Sequence, residues 1–300
     1  WYLLKRRHEE FAKRSFQGAL LLATVSSLAA LVSGHIQANN VYEHQPAKLA
    51  AFEGHYQTGP GDLSIFGIPS DEQQDVLFNV SIPGGLSFLL FENFSEEVIG
   101  LEAFRPEDQP PVLIPFATYH LMVGLGVFFI VITLLSCYLW WRGTLFQHRW
   151  LMWVYVVAVV GAVGANQFGW VAAEVGRQPW NVHPPIQRDA NDEWVRDAGG
   201  YMQYETLEVP LENGGTREMV AGLRTSDSVS EVVTSGQVLS SIVLFGLIYL
   251  LLFALWVFVL NNKIQQGPAV PETGERREDL WEAAGSIVDR KRSMTSTEEE

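Results

Sequence analysis

Four long apolar runs alternate with polar segments along the chain. They cover residues 16–32, 116–141, 150–175 and 238–260, and each is long enough to cross roughly 30 Å of hydrocarbon as a helix. A soluble fold would need four all-apolar core helices, with no amphipathic helices to cover them. The pattern therefore predicts an all-α membrane protein with four transmembrane helices.

Charge predicts the orientation of these spans. Basic residues flank one end of each span and are Lys5, Arg6, Arg7, Lys13, Arg14, Arg142, Arg149 and Lys263. By the positive-inside rule, segments 1–15, 142–149 and 261–300 are cytoplasmic. Two long acidic segments, which we name the first outer loop (33–115) and the second outer loop (176–237), then face outside. This segregation reconciles a 48% hydrophobic composition with a net charge of −14.

The two ends of the chain differ in character. Trp1 and the apolar residues after it resemble the end of a preceding span, so we expect further residues upstream. The polar tail 261–300 is predicted to be disordered, apart from a short helix around 279–289. The lone cysteine, Cys137, excludes an intrachain disulfide and a multi-cysteine metal site, and a packing role is expected.

Turn signals divide the first outer loop. We predict a short helix at 46–56 and either a strand or a short helix at 86–91. A loop of this length is a candidate binding lid, because long ordered loops commonly carry function. The second outer loop has the composition of a small hairpin-rich appendage.

Glu174 is the most informative candidate, because an acid at the end of a membrane span needs protein, water or a cofactor beside it. Trp170, Glu174 and Gln178 repeat at helical spacing and share one face. Glu174 is interpreted as a metal ligand, a proton shuttle or the partner of Arg177. The Arg177 fork suits carboxylates such as propionates. Trp170 and Trp180 suit either cofactor contacts or an interfacial aromatic belt.

Met122 is a second candidate, since a thioether is a weak ligand for haem iron. Gly126 follows on the same face and leaves room for a flat ring. His120 lies about 200° round the helix from Met122, so the two side chains are not expected to ligate one iron. Simple packing is the alternative for Met122. Lys48 and Glu53, about 140° apart on a helix, suit either a solvated surface or a binding role.

Six collinear motifs carry a resemblance to a known family. They are Tyr2-Leu3-Leu4-Lys5 with Phe11-Ala12-Lys13-Arg14-Ser15-Phe16, Lys48-Leu49-Ala50-Ala51-Phe52-Glu53, Phe66-Gly67-Ile68-Pro69, Met122-Val123-Gly124, Gly169-Trp170 with Glu174-Val175-Gly176-Arg177-Gln178-Pro179-Trp180, and Leu223-Arg224-Thr225-Ser226-Asp227. In this order, they resemble subunit I of cytochrome bd quinol oxidase.

The resemblance implies a nine-span bundle, of which this chain supplies the last four spans and the end of the fifth. The first outer loop is then the family's long outer Q loop. Met122 is implied as a ligand of low-spin haem b, and Glu174 as the ligand of high-spin haem b. Lys48 and Glu53 take the positions for quinol oxidation. The remaining implied cofactor-binding residues are Trp170, Arg177, Gln178, Trp180 and His120. His120 stands where some members have arginine.

The implied activity is that of a quinol:oxygen oxidoreductase in the plasma membrane of a prokaryote. Electrons pass from quinol through two b haems to haem d, or to a third haem b, where dioxygen becomes water. The reaction is electrogenic without proton pumping. Expected partners are subunit II, a small single-span subunit as a further candidate, and membrane lipid, but no nucleic acid. The alternative is a transporter, channel or assembly subunit that uses Glu174 and Arg177 as a buried polar site.

Overall fold

The computed structural model describes residues 1–210 and 215–268. Helices form most of this part of the chain, and they are α1 (Tyr2–Lys5), α2 (Glu9–His44), α3 (Pro46–Glu53), α4 (Gly85–Phe91), α5 (Leu113–Trp141), α6 (Arg149–Gly176) and α7 (Ser235–Gln266). The first six residues of the tail predicted to be disordered belong to α7. The helix predicted around 279–289 lies outside the described residues.

Helices α2, α5, α6 and α7 are long and apolar enough to cross a membrane. Each of the four predicted spans lies inside one of them, which confirms the prediction of an all-α membrane protein. The chain divides into two compact units after Val243, within α7. Within residues 1–210 and 215–268, the strands lie in the two outer loops and form two-stranded sheets.

Helix α2 is much longer than the span predicted from hydropathy. Its 36 residues reach about 54 Å, well beyond the hydrocarbon thickness. Apolar residues mark only the part of a helix that lies in lipid. A polar extension beyond the lipid is held by the same backbone hydrogen bonds, so the helix continues without an apolar pattern. The helix ends at His44, and the φ of −142° at the next residue, Gln45, is not helical. Pro46 follows and disfavours the helical conformation of the residue before it.

The helices of the first unit pack together at the predicted cytoplasmic side. Helix α5 packs along α6 and against α2. A buried apolar cluster joins them and consists of Leu4, Leu20, Ile132, Leu145, Leu151 and Met152. Cys137 is half-buried beside this cluster, with its Sγ atom 3.3 Å from the Thr24 hydroxyl.

The first outer loop is folded around a small core of its own. Its strands are β1 (Gly59–Pro60), β2 (Leu63–Ser70), β3 (Asp75–Ile82) and β4 (Glu97–Val98), with β1 paired to β4 and β2 to β3. The predicted helix at 46–56 corresponds to α3. The ambiguous apolar run at 86–91 lies in α4. Nearly every residue of α3 is buried, so this helix forms the centre of the loop.

The second outer loop contains β5 (Trp180–Val182), β6 (Thr206–Pro210), β7 (Thr216–Val220) and β8 (Leu223–Arg224), with β5 paired to β8 and β6 to β7. It shares the core of the first loop, because Met202 is buried there and its N–H donates to the Ala103 carbonyl at 2.8 Å. Arg105 also pairs with Asp197 at 2.7 Å. The β6–β7 pair forms a hairpin that is exposed along both strands, whereas β5 and β8 join the two ends of the loop.

Candidate functional site

The outer end of α6 is in direct contact with α3. A Cβ atom at Gly176 would lie 2.6 Å from Phe52 Cε1 and 3.4 Å from Lys48 Cγ. The first distance is shorter than any normal carbon–carbon contact, so the missing side chain is what lets α3 lie this close. The contact makes the first outer loop and the third span neighbours.

Lys48, Glu174, Arg177 and Trp180 line one cavity of about 180 Å³ beside this contact. Its remaining lining residues are Gln45, Ala173, Asn181 and His183. Burial lowers the pKa of Lys48, the nearby Arg177 lowers it further, and Glu174 opposes the shift. Four of the residues predicted from sequence therefore meet at one place.

Glu174 and Arg177 form an ion pair at the cavity wall. The distance from Arg177 Nη2 to Glu174 Oε2 is 2.5 Å, and the two side chains are 39% and 40% exposed. An ion pair this accessible contributes about 0.2–1 kcal/mol, so it is easily rearranged. The ion pair of Glu174 with Arg177 is thus compatible with a second role for the Glu174 carboxylate.

Gln178 ties the end of α6 to the end of the second outer loop. Its Nε2 donates to the Glu174 carbonyl at 3.3 Å, and its Oε1 accepts from the Thr225 hydroxyl at 2.7 Å. Thr225 belongs to the Leu223–Asp227 motif that matched the family. The side chain of Gln178 braces the backbone of Glu174 and does not line the cavity.

Trp180 is buried beneath Arg224, whose guanidinium lies 4.6 Å from the centre of the indole ring. Arg224 also forms an ion pair with the buried Asp108 of the first outer loop. Burial raises the pKa of Asp108, and Arg224 opposes that rise. Arg224 therefore links the second outer loop to the first and contacts Trp180, which lines the cavity.

Trp170 lies apart from these residues. Its side chain is 61% exposed on the surface of α6, and it does not line the cavity. Within the described residues, nothing joins it to Arg177 or Trp180. Both the cofactor-contact and the interfacial-belt interpretations of Trp170 remain predictions.

Met122 lies between α5 and α6. Its Sδ is 2.6 Å from the position that a Cβ of Gly169 would take, so a second glycine of α6 makes room for a predicted site residue. Gly169 precedes Glu174 by five residues, or about 7.5 Å along the helix. Met122 is thus at a deeper level of the membrane than Glu174, on the same pair of helices.

His120 points away from Met122, as the helical spacing indicates. Its Nδ1 lies 2.8 Å from the Phe116 carbonyl oxygen and its Nε2 lies 2.8 Å from the Ser64 carbonyl oxygen. Both ring nitrogens are engaged with backbone, so the imidazole fastens β2 to the outer end of α5. The cofactor contact predicted for His120 does not depend on a free ring nitrogen, and it stays a prediction.

Glu53 is buried in α3 and is not among the residues that line the cavity. Its carboxyl group is 2% exposed, and neither oxygen has a hydrogen bond of normal geometry among the described residues. Burial raises the pKa of Glu53 to about 8, and the nearby Tyr119 hydroxyl opposes the rise. The Phe52 ring stacks on Tyr119, with the ring centres 4.9 Å apart.

Three further residues at or beside the candidate site were not predicted from the sequence. Gly176 belongs to a matched motif, so its identity was visible, but its contact with Phe52 depends on the tertiary fold. Tyr119 is the neighbour of Glu53 across two elements far apart in sequence. His183 lies in the second outer loop, where no motif marks it.

The fold and the site define a membrane protein with several spans and a polar site where an outer loop meets two of them. The profile of the family described as cytochrome bd terminal oxidase subunit I matches residues 1–268. The chain belongs to this family, as its sequence motifs predicted.

Individual relatives agree with this assignment. The chain is 29% identical over 276 residues to cytochrome bd ubiquinol oxidase subunit 1 of Bacillus subtilis, with 88% of this chain and 51% of the relative covered. It is 24% identical over 249 residues to cytochrome bd-II ubiquinol oxidase subunit 1 of Escherichia coli, covering 61% of this chain and 48% of the relative.

A solved structure is also similar. The bd oxidase from Geobacillus thermodenitrificans aligns with a TM-score of 0.66 at 26% identity, covering 89% of this chain and 53% of the aligned chain. The present chain thus spans about half the length of the relatives it matches.

The residues fit the haem groups that the family implies. Within residues 1–210 and 215–268, no group of three or more His, Cys, Asp or Glu side chains surrounds a common point. Single axial ligands are what a macrocycle requires of a protein. Glu174 offers an accessible carboxylate oxygen beyond the one in its ion pair. Met122 Sδ lies directly against α6 at Gly169, where a Cβ would be only 2.6 Å from the sulfur.

We expect Gly176→Ala to loosen α3, because the added methyl group overlaps the Phe52 ring. Overpacking of this kind costs about 1–3 kcal/mol, which corresponds to roughly 5- to 150-fold faster amide exchange across α3. Hydrogen–deuterium exchange on the purified complex measures it. The matched control is Gly164→Ala, where the added carbon would lie 3.6 Å from its nearest neighbour. Equal exchange in both variants would contradict the contact.

Proposed function

We propose that this chain is the quinol-oxidising, haem-binding part of a cytochrome bd quinol oxidase. One observation carries the proposal: Lys48 of the first outer loop and the Glu174–Arg177 pair of the third span line the same cavity. A substrate loop is thereby held against the residues that the family resemblance assigns to a haem. The family match over residues 1–268 supports the same activity.

Quinol oxidation requires groups that orient the hydroxyls and accept protons. Lys48 orients a quinol oxygen by donating from its ammonium group, whose lowered pKa reflects burial beside Arg177. Glu53 accepts a proton on its carboxylate. Its raised pKa, near 8, makes it a stronger base than an exposed glutamate. Tyr119 lies beside it and keeps the carboxyl group in place.

Two haem b groups would be held by single ligands from this chain, Met122 for the low-spin and Glu174 for the high-spin group. When bound, such groups supply one-electron transfer, and a neutral thioether favours a higher reduction potential than an anionic carboxylate. Arg177 balances the charge of Glu174 and suits a haem propionate. Gln178, Trp180, Trp170 and His120 frame these positions.

The complete enzyme has further parts. Subunit II, the upstream spans, and haem d or a third haem b complete the path to dioxygen, and a small single-span subunit is a candidate partner. Quinol protons leave on the outer side, while those consumed in water formation come from the cytoplasm. Charge separation then follows from location, without a pump. The domain boundaries given above, with long loops outside and the C-terminus cytoplasmic in a prokaryotic plasma membrane, fit this account.

Met122→Leu tests the haem assignment. Leucine keeps the volume but removes the sulfur, so we expect the low-spin haem b signal to disappear from the reduced-minus-oxidised spectrum of the purified oxidase. Met152→Leu is the matched control, because Met152 is buried in the apolar cluster at the other end of the helices. A normal low-spin signal in Met122→Leu would contradict the assignment.

The pH dependence of turnover tests Glu53. Because its pKa is about 8, the carboxylate form that accepts a proton becomes more populated as the pH rises through 8. We expect kcat/KM for quinol to increase several-fold from pH 6.5 to 8.5. In Glu53→Gln both the activity and this increase should be lost, with the haem spectrum intact.

The control for this experiment is Glu72→Gln, an exposed acid in the turn of the β2–β3 hairpin. Its pH profile should match that of the unmodified oxidase. If Glu53→Gln retained both the turnover and the rise with pH, Glu53 would not be the proton acceptor.

A further inference from the structure

Two triplets of the first outer loop have the Asn-X-Ser pattern that N-glycosylation requires of its acceptor. They are Asn79-Val80-Ser81 and Asn93-Phe94-Ser95, and neither has proline in the middle. Such a triplet receives a glycan only where it lies on a surface that faces the outside. The pattern alone does not separate the two triplets, but their local structures differ.

The triplet at Asn93 lies in an exposed turn between α4 and β4. All three of its residues are exposed. Asn93 Oδ1 accepts a hydrogen bond from the backbone N–H of Ser95 at 3.1 Å, which makes an Asx turn. The chain bends at the triplet and brings the amide of the first residue close to the third. A transferase can therefore contact the Asn93 amide and the Ser95 hydroxyl together.

Contacts on both sides hold this turn in place. The ring of Phe94 stacks on that of Phe88 in α4, with the ring centres 4.5 Å apart. The hydroxyl of Ser87, also in α4, donates to the backbone carbonyl of Glu96 at 2.6 Å. The backbone of the turn is thus fixed to the helix before it, while the side chain of Asn93 stays exposed.

The triplet at Asn79 lies within strand β3 instead. Val80, its middle residue, is paired with Phe66 across the β2–β3 hairpin. A strand advances about 3.3 Å per residue, so the first and third residues of the triplet are roughly 6.6 Å apart, and an Asx turn would break this pairing. Ser81 is partly buried, and its hydroxyl donates to Asp62 at 3.3 Å. The strand therefore makes Asn79 a poor acceptor, although its side chain is exposed.

We propose that Asn93 is an N-glycosylation site, to which an oligosaccharyltransferase transfers a glycan from a lipid-phosphate carrier. The inference rests on the orientation in the proposed function, which places the first outer loop outside. A bond forms between Asn93 Nδ2 and the anomeric carbon of the first sugar, and the bond from that carbon to the phosphate oxygen of the carrier breaks. The phosphate leaves with the bonding electrons, and Nδ2 loses one proton to solvent, so nothing is oxidised or reduced.

The reacting nitrogen is accessible, and the glycan has room. Asn93 Nδ2 donates to Glu96 Oε2 at 3.2 Å, an exposed hydrogen bond that exchanges readily with water or with groups of the transferase. Asn93 is not among the residues that line the cavity beside Lys48. A glycan at this turn is therefore compatible with quinol oxidation in the same loop.

Peptide mass spectrometry of the complete oxidase, purified from membranes of the organism that makes it, tests the site. We expect the mass of a glycan on Asn93 in most copies of the chain. Asn79 is the matched reference in the same preparation, because it has the same acceptor pattern in a strand, and it should carry no glycan. An unmodified Asn93, or equal modification of the two asparagines, would overturn the proposal.

Variants at the third position separate transfer by this enzyme class from other modifications of Asn93. Ser95→Ala removes the required hydroxyl from an exposed residue, so the glycan should be lost. Ser95→Thr keeps a hydroxyl and should keep the glycan. Ser81→Ala is the matched control in the other triplet, and it should leave the modification of Asn93 unchanged. A glycan retained on Asn93 in Ser95→Ala would contradict the assignment.

The same preparations show whether the site or the proposed function has failed. Quinol oxidation and the haem spectrum are measured alongside the peptide masses. A glycan on Asn93 in a preparation that contains no haem and oxidises no quinol would overturn the proposed function and support the site. Normal quinol oxidation with an unmodified Asn93 would overturn the site alone.

Discussion

The contact of Phe52 with Gly176 is the constraint on which the candidate site depends. A loop of more than eighty residues has many ways to fold, yet α3 must lie on the end of α6 for Lys48 to reach the cavity. The glycine permits the approach, and the aromatic ring fills the space that any other residue would occupy. Stacking of Phe52 on Tyr119 then extends the contact to α5. One short helix is thereby fixed to both spans that carry the proposed haem ligands.

The two carboxylates near this contact, Glu53 and Glu174, have different surroundings. Burial raises the pKa of Glu53 to about 8, and within the described residues its carboxyl oxygens have no hydrogen bond of normal geometry. The Glu174 side chain is 40% exposed and pairs with Arg177. The two carboxylates thus differ in burial and in their charged neighbours. Under the proposed function, the buried carboxylate accepts protons and the accessible one ligates a haem iron.

The sequence predicted the spans and the family, because hydropathy and collinear motifs are local properties. It missed the length of α2, since polar helical residues outside lipid leave no apolar signal. It also missed the cavity, because Lys48 and Glu174 are joined by tertiary packing through Gly176. The second outer loop looked like an appendage, yet buried Met202 and the Arg224–Asp108 pair bind it to the first loop. Such pairings connect residues roughly a hundred positions apart and have no periodic pattern.

A cryo-electron microscopy map of the complete oxidase, at a resolution that shows side chains, tests the central claim most directly. The account predicts that Phe52 lies on Gly176 and that Lys48 faces the same cavity as Glu174 and Arg177. A map in which α3 lies away from the end of α6, with Lys48 outside that cavity, would contradict it.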